Sequence, residues 1–407
     1  MPAERIDTLI IGGGQAGLVM SYRLKQRGIA HLVLERARIA ERWRSQRWDG
    51  LMFQFPNWSV RLPDFPFPQD QPDAFATPAE IIGFIEAFTE FAKVPLRCGV
   101  EVTRLARGDD GAAFHAETTQ GAIAANNVVV ATGPYQRALM PDLLRDHPVF
   151  QVHASGYRNP EALPPGAVLV VGGGASGAQI AEELNRAGRR VFLAIGQHTR
   201  MPRRYRGQDL TWWFGALGLF QMTAEQRGPI RVNPTISGAY GGHTIDFRRF
   251  AADGITLTGR IVAADDGVLE IAPGLAESLA VGDTYYNNFL AMMDAHVARH
   301  GLAMPDDPDA RASLADPPCL TTPLRRLDLG AEDIHAVVWA TGYGVDFGWI
   351  DLPVLTPACE PIHRGGISGI PGLYFLGLPF LSKTSSAFLS GVDDDATALA
   401  AHIFTRG

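Results

Sequence analysis

Two glycine-rich runs are the clearest candidates for binding a nucleotide phosphate. The first, Gly12-Gly13-Gly14-Gln15-Ala16-Gly17, follows the apolar run Thr8-Leu9-Ile10-Ile11 and precedes apolar residues at helical spacing. In such a strand–turn–helix unit the first glycine allows the tight turn, the second lets the backbone approach a pyrophosphate, and the third lets the helix pack on the strand. The free N–H groups of the helix N-terminus favour the phosphate. The run therefore predicts a dinucleotide site that includes Gly12, Gly14, Gln15, Ala16 and Gly17.

The second run, Gly172-Gly173-Gly174-Ala175-Ser176-Gly177, repeats the arrangement between the apolar run 168–171 and a predicted helix over 176–187. It predicts a second site with Gly172, Gly174, Ser176 and Gly177 as its candidates. The two sites differ at the end of the next strand. Glu35 stands there in the first unit, where an acid hydrogen-bonds ribose hydroxyls, whereas Ile195 takes the matching position in the second.

Arginines follow the second unit where the acid is missing. Arg200, Arg203 and Arg204 lie within the run 200–206, and no acid appears before Asp209. A carboxylate would repel an adenosine 2′-phosphate, whereas a guanidinium binds one. We therefore expect these three arginines to favour NADP(H) over NAD(H), with a solvated basic face as the alternative.

Two dinucleotide sites imply a chemistry with two cofactors, most simply NADPH reducing a tightly held flavin. Two further turns, Ala131-Thr132-Gly133 and Ala340-Thr341-Gly342, each follow an apolar strand. Such turns suit chain crossings between two nucleotide domains, although a plain strand-end turn has the same pattern. Thr132, Gly133, Thr341 and Gly342 are therefore candidate cofactor-binding residues.

At this point the chain resembles the group B flavin-dependent monooxygenases, which include the flavin-containing monooxygenases and the plant-type indole-3-pyruvate monooxygenases. The tandem glycine motifs, Trp339-Ala340-Thr341-Gly342-Tyr343 and the segment 43–68 carry the likeness, which covers nearly the full length and is weakest over 205–280. The resemblance implies an α/β fold with two Rossmann-like domains, one for FAD and one for NADPH, the NADPH domain being inserted into the FAD domain. The expected limits are 1–163 and 331–407 for the FAD domain and 164–330 for the NADPH domain.

The resemblance also implies the chemistry. NADPH would reduce FAD, and a C4a-(hydro)peroxyflavin would oxygenate a small lipophilic nitrogen, sulfur or carbon nucleophile, with dioxygen as co-substrate. Because the cofactor carries the difficult step, the sequence identifies no residue as a catalytic base. Residues given a role by the resemblance fall into two sets. Trp43, Arg44, Trp48, Val102 and Gly377 are expected at FAD, and Gln54 and Asn57 are expected as catalytic amide side chains near the flavin.

Several alternatives stay open on the sequence. The family fingerprint before the second glycine motif is Phe-x-Gly-x-x-x-His-x-x-x-Tyr. Its His and Tyr are present here as His153 and Tyr157, whereas His147 replaces the Phe and Val149 replaces the Gly. Tyr157-Arg158 favours heteroatom oxidation over a Baeyer–Villiger ketone oxygenase. A reductase that passes electrons to another acceptor, or a flavin-binding sensor, would share the fold. A disulfide reductase is disfavoured, since residues 36–60 contain no cysteine.

Composition restricts the function classes further. The 407 residues carry 36 Lys plus Arg against 43 Asp plus Glu, a net charge of −7, which disfavours nucleic acid or an anionic membrane as partner. Three separated cysteines offer neither metal-ligand spacing nor a disulfide scaffold. No apolar run is long enough to span a bilayer, and the N-terminus does not have the pattern of a signal peptide, so we expect a cytoplasmic protein. The Trp-rich segment 212–220 is a candidate substrate entrance or, if exposed, a homodimer contact.

Overall fold

Two sheets with parallel central strands form the frame of the molecule. Each contains a strand that ends in a glycine turn. The computed structural model describes residues 3–108, 111, 113–227 and 234–406. Over these residues the first sheet has nine strands and the second has five, and helices pack against both, which confirms the predicted α/β class. No helix of the described chain combines the length and the apolar character needed to cross a bilayer.

The first sheet is parallel at its centre. Leu373–Phe375, Gly121–Val130, Glu4–Ile11, His31–Glu35 and Leu96–Cys98 pair side by side in that order. Its other strands are Val102–Arg107, Phe114–Thr118, His363–Arg364 and Ile367–Ser368. The central strands are almost continuously apolar because both of their faces are covered. Covering helices are Gln15–Gln26, Pro78–Ala92 and Val392–Arg406.

The helix Pro78–Ala92 begins after Thr77, in the run Thr77-Pro78-Ala79-Glu80, a pattern typical of a helix N-terminus. Thr77 Oγ1 accepts a hydrogen bond from the Glu80 N–H at 3.3 Å, and the Glu80 carboxylate accepts one from the Thr77 N–H at 2.7 Å. This reciprocal capping box satisfies two N–H groups that a helix N-terminus would otherwise leave free.

The second sheet has the parallel order Phe150–His153, Ile334–Trp339, Ala167–Val171, Val191–Ala194 and Thr256–Thr258. Helices Ala175–Arg186 and Phe247–Ala252 contribute to its core. Two of its strands, Phe150–His153 and Ile334–Trp339, lie outside the range 164–330 expected for the NADPH domain. The domain limits themselves stay a prediction, but the second sheet takes strands from both flanking ranges.

Smaller elements surround this frame. A three-stranded antiparallel sheet contains Ile261–Asp265, Val268–Ile271 and Arg326–Asp328. A long helix covers Leu275–His300. The remaining helices are Glu41–Ser45, Leu210–Ala216, Ala224–Arg227 and Pro318–Thr321. Two-residue strands are Arg61–Leu62, Phe65–Pro66, Arg137–Ala138, Thr199–Arg200, Arg204–Tyr205, Gln208–Asp209, Pro234–Thr235 and Tyr343–Gly344.

The Trp-rich segment 212–220 is partly exposed, and Trp213 is its buried residue. Trp213 has no exposed surface and packs with Tyr205, Phe289 and Leu290. Its indole N–H donates to the Tyr205 carbonyl at 3.0 Å. Trp213 is thus a core residue, whereas Trp212, Phe214 and Phe220 are partly exposed, and the role of the segment as a substrate entrance or a homodimer contact stays a prediction.

Candidate active site

The first glycine turn is built by close backbone contacts. Gly12 has a φ of +112°, and a Cβ there would lie 2.6 Å from the Ala131 carbonyl oxygen. A Cβ on Gly17 would lie 1.9 Å from the Gly12 oxygen. Both distances are too short for a real side chain, so these glycines let the helix Gln15–Gln26 start directly behind the strand Glu4–Ile11.

Gly14 has a different surrounding. It is the residue before the helix, with φ −77° and ψ −179°, a conformation that any residue adopts. A Cβ on Gly14 would meet no atom within 4 Å. The backbone therefore borders open space at the helix N-terminus, where a phosphate would be received.

The second turn repeats this geometry. A Cβ on Gly172, at φ +121°, would lie 2.4 Å from the Ala340 oxygen, and one on Gly177 would lie 1.8 Å from the Gly172 oxygen. Gly174, with φ −74° and ψ 179°, again borders open space. The repeat predicted from the two sequence runs is thus a repeat in three dimensions.

The predicted equivalence of Glu35 and Ile195 is confirmed by the same comparison. A Cβ on Gly13 would lie 2.7 Å from the Glu35 Cβ, and one on Gly173 would lie 3.0 Å from Ile195 Cγ2. The Glu35 carboxylate accepts hydrogen bonds from the N–H groups of Gly13 at 2.8 Å and Ala37 at 2.9 Å. These bonds fix an anionic acceptor beside the first turn, whereas the second turn has an apolar group there.

Both turns open into one cleft of about 990 Å³. Sixteen of the predicted site residues line it: Gly12, Gly14, Gln15, Ala16, Glu35, Trp43, Trp48, Gln54, Val102, Thr132, Gly133, Gly174, Ser176, Thr341, Gly342 and Gly377. Because residues of both glycine turns share this lining, groups bound at the two turns would face a common space.

The two Ala-Thr-Gly turns are joined across the cleft. Residues Arg137–Ala138, just after the first turn, pair with Tyr343–Gly344, just after the second. Thr132 Oγ1 accepts a hydrogen bond from Gln136 at 3.0 Å, and Thr341 donates its hydroxyl to the Leu139 carbonyl. The chain crossings expected from the sequence are therefore tied to one another where the two sheets meet.

His153 belongs to this junction. Its Nε2 lies 3.0 Å from the Gly342 carbonyl, which only accepts, so Nε2 carries the proton. Its Nδ1 accepts from the Ser155 N–H at 3.1 Å. Burial lowers the pKa of His153, although the Gly342 carbonyl opposes the shift. A neutral imidazole thus holds the second Ala-Thr-Gly turn in place.

Tyr157, the other kept fingerprint residue, lies away from the cleft lining and donates its hydroxyl to Glu183 at 2.8 Å. Burial raises the pKa of the Glu183 carboxyl, while the hydrogen bond from Tyr157 opposes the shift. This pair packs behind the cleft rather than in it.

Eight predicted site residues do not line the cleft. They are Gly17, Arg44, Asn57, Gly172, Gly177, Arg200, Arg203 and Arg204. The three glycines serve the packing of helix on strand described above. Arg44 forms an ion pair with Glu86 and donates to the Ile39 carbonyl at 3.3 Å, so its charge is used structurally. Asn57 is buried, with its amide donating to the Gln71 carbonyl at 3.0 Å.

The arginine cluster is engaged with acids, contrary to the prediction of free guanidinium groups. Arg200 lies 2.6 Å from Asp246 and 3.0 Å from Asp283. Arg203 is 1% exposed and binds Asp209 through two hydrogen bonds of 2.9 Å. These acids come later in the chain than the run 200–206, and burial of an arginine requires such partners.

Arg204 differs from its two neighbours. It is exposed, and its guanidinium donates to the carbonyls of Gly242 at 2.9 Å and Gly241 at 3.0 Å. Within the described chain no carboxylate lies within 4.0 Å of it. Of the three predicted arginines, this one retains an uncompensated charge.

The cleft also has lining residues that the sequence alone did not identify. Arg47 places its guanidinium 5.3 Å from the Trp43 ring and 6.0 Å from the Tyr135 ring. Gln179 is buried, and its side-chain oxygen has no hydrogen-bond partner in the described structure. Phe388 packs on Phe55 with ring centroids 5.1 Å apart. Arg47 adjoins the predicted Trp48 and Gln179 lies in the helix predicted over 176–187, whereas Phe388 lies in a segment with no motif.

Comparison with known proteins agrees with this geometry. A family model described as pyridine nucleotide-disulphide oxidoreductase matches residues 9–209. An uncharacterized CzcO-like oxidoreductase from Geobacillus kaustophilus is 33% identical over 97% of this chain and 97% of its own. Indole-3-pyruvate monooxygenase YUCCA1 from Oryza sativa subsp. japonica is 30% identical over 46% of this chain and 47% of its own.

Solved structures show the same fold. A flavin-containing monooxygenase from Stenotrophomonas maltophilia superposes with a TM-score of 0.69 over 99% of both chains at 18% identity. At that identity the likeness shows the fold alone.

Proposed function

The chain belongs to the family of CzcO-like oxidoreductases, and from that premise we propose that it is an FAD- and NADPH-dependent monooxygenase. The observation that carries the proposal is the single cleft onto which two glycine turns of equivalent geometry open. An enzyme that uses one dinucleotide to reduce another needs both to meet in one enclosed space. The partial likeness to an indole-3-pyruvate monooxygenase supports oxygen transfer as the outcome.

The first turn fits FAD. Open space at Gly14, the N–H groups at the start of the helix Gln15–Gln26 and the fixed carboxylate of Glu35 provide a pyrophosphate site and a ribose acceptor. Trp43 and Trp48 would form walls against the flavin. FAD is proposed at this turn because the Glu35 carboxyl group can accept a hydrogen bond from a ribose hydroxyl, whereas it would repel the 2′-phosphate of NADPH.

The second turn fits NADPH. Open space at Gly174 and the helix Ala175–Arg186 provide the pyrophosphate site, and Ile195 presents no charge that would repel a 2′-phosphate. Arg204 retains its charge and is the arginine proposed to attract that phosphate.

When bound, FAD would supply hydride acceptance from NADPH and activation of dioxygen, chemistry that no protein side chain provides. The protein holds the two cofactors, orients them and excludes water. Phe55 and Phe388 give the cleft an apolar wall. Gln54, whose amide donates only a long 3.5 Å bond to the Ile236 carbonyl, is the polar side chain proposed to meet the flavin. The proposed substrate is a small lipophilic nitrogen, sulfur or carbon nucleophile.

Cysteine placement argues against dithiol chemistry. Cys98, Cys319 and Cys359 are all described, and none lines the cleft. Reduction of a disulfide at the flavin requires a thiol pair beside it. A reductase acting on another acceptor would instead release hydrogen peroxide or reduce an added quinone.

Isotope incorporation tests the proposal. The flavin-loaded protein is supplied with NADPH, ¹⁸O-labelled dioxygen and a panel of thioethers, tertiary amines and ketones. We expect one labelled oxygen atom in a product, with NADPH oxidised in step with product. If no product carries the label while NADPH is consumed and hydrogen peroxide accumulates, the protein is a reductase or oxidase and the monooxygenase proposal fails.

A further inference from the structure

A second cavity lies beside the cofactor cleft. It encloses about 440 Å³ and forms where three segments meet, 58–61, 211–221 and 383–394. None of its lining residues lines the cofactor cleft. Its volume falls in the range of about 300–1,000 Å³ that is common for small-molecule pockets.

A thin wall separates this cavity from the cleft. The 3-10 turn Thr384–Ala387 turns Ser385 to the cavity, while its Ala387 carbonyl accepts a hydrogen bond from Gln15 of the first glycine turn at 2.7 Å. Next in sequence, Phe388 lines the cleft and lies 6.4 Å, ring to ring, from Phe220, which lines the cavity. A ligand in the cavity would thus be one aromatic layer from the cofactors.

Part of the cavity is aromatic. Trp58, Trp212 and Phe220 supply its large apolar groups. Trp212 is fixed edge-on against the fully buried Trp213, with ring centroids 4.9 Å apart and planes at 89°. Flat walls of this kind favour a ligand with a planar or otherwise apolar body.

The rest of the cavity is cationic. Lys383, whose side chain is 7% exposed, forms an ion pair with Asp394, whose side chain is 68% exposed. Arg61 also lines the cavity, and the described residues place no carboxylate within 4.0 Å of it. Asp393 and Asp395 also attract Lys383, so Arg61 is the lining cation that has no ion-pair partner among the described residues.

Hydroxyl groups accompany this charge. Thr211, Ser385 and Ser390 line the cavity, and their hydroxyls have no hydrogen-bond partner within the described chain. A guanidinium with nearby free hydroxyl donors suits a carboxylate, because bonds to a charged acceptor are stronger than neutral ones.

We propose that this cavity binds a small molecule with a flat apolar body and a carboxylate group, the body against the aromatic rings and the carboxylate at Arg61. The identification of that molecule as the substrate rests on the proposed function, since the cavity adjoins the cofactor cleft. Binding itself is independent of oxygen transfer, so the two can be tested separately.

Calorimetric titration of the oxidised, flavin-loaded protein with 4-phenylbutyrate and with its neutral analogue 4-phenylbutyramide tests the proposal without NADPH. We expect the carboxylate to bind about tenfold or more tightly than the amide, as one charge-assisted contact predicts. Arg61→Gln should remove this preference and leave amide binding unchanged. Arg325→Gln, at an exposed arginine that lines neither cavity, is the matched control and should preserve it.

Equal affinity for acid and amide would overturn the proposal, as would loss of the preference in Arg325→Gln to the same degree as in Arg61→Gln. Trp212→Leu adds a second measurement, since removing the aromatic wall should weaken both probes alike. If the carboxylate binds through Arg61 yet no aromatic carboxylic acid gains labelled oxygen, the ligand site stands and the proposed function fails for that class.

Discussion

Substitution of Gly14 by valine would separate cofactor binding from folding. The structure places no atom within 4 Å of a Cβ at this position, and the backbone there, φ −77° and ψ −179°, is extended. A β-branched side chain fits such a backbone. Loss of the glycine as helix N-cap costs about 1 kcal/mol, so the cofactor-free protein should fold and unfold nearly as the unsubstituted one does.

The effect on FAD should be much larger. The two methyl groups of valine would occupy the open space at the helix N-terminus where the pyrophosphate is proposed to lie. Displacing even two backbone N–H bonds to phosphate, at about 1.5 kcal/mol or more each, removes about 3 kcal/mol of binding. That corresponds to a loss of affinity of about a hundredfold or more.

Two variants make the test specific. Gly174→Val makes the same change at the second turn, where a Cβ is equally free, and should weaken NADPH while FAD is retained. Gly83→Val, at an exposed glycine of the helix Pro78–Ala92 with open space at its Cβ, should change neither cofactor. The flavin-to-protein ratio after gel filtration and the thermal unfolding of each variant are measured. Retention of stoichiometric FAD by Gly14→Val with unchanged affinity would refute the assignment of the first turn.

Three further substitutions test individual charged side chains. Arg203→Ala should destabilise folding by about 3–5 kcal/mol in denaturant titration because it leaves Asp209 largely buried without its partner, whereas a purely nucleotide-binding role would leave stability unchanged. Arg204→Gln should raise the dissociation constant for NADPH about tenfold and spare NADH, and equal effects on both would remove Arg204 from the site. The folded-state pKa of Glu183 is raised above its ordinary 4.5, so its ionisation costs stability as pH rises through that folded pKa. Glu183→Gln, which can still accept from Tyr157, should therefore flatten the fall of melting temperature with rising pH, and an unchanged slope would contradict this.

The parts of the site that were predictable from sequence are local in the chain. Each glycine turn lies within six residues, and its strand and helix adjoin it, so periodicity and glycine spacing together identify both units. The equivalence of Glu35 and Ile195 follows because each lies 18 residues beyond the last glycine of its turn. The capping box at Thr77 is likewise defined within four residues.

The parts that sequence could not predict depend on partners far apart in the chain. Asp246, just before the helix Phe247–Ala252, and Asp283, within the helix Leu275–His300, both bind Arg200, and no short window around the arginine contains them. The strand Ile334–Trp339 joins a sheet whose neighbouring strands begin at residues 150 and 167. A run of arginines predicts positive charge, but only the folded chain shows which of those charges is already neutralised.

The difference between the two turns is more informative about function than their similarity. Both offer helix N–H groups to a phosphate, so neither turn alone distinguishes one dinucleotide from another. The two oxygens of Glu35 accept N–H groups, which fixes its carboxyl group beside the first turn, whereas Ile195 places an apolar side chain at the same point of the second. One site is thus suited to a ribose hydroxyl and the other tolerates a phosphate there. Since the paired segments Arg137–Ala138 and Tyr343–Gly344 tie the two turns together, we propose that they hold the two dinucleotides in a fixed relation, as a hydride transfer between them would require.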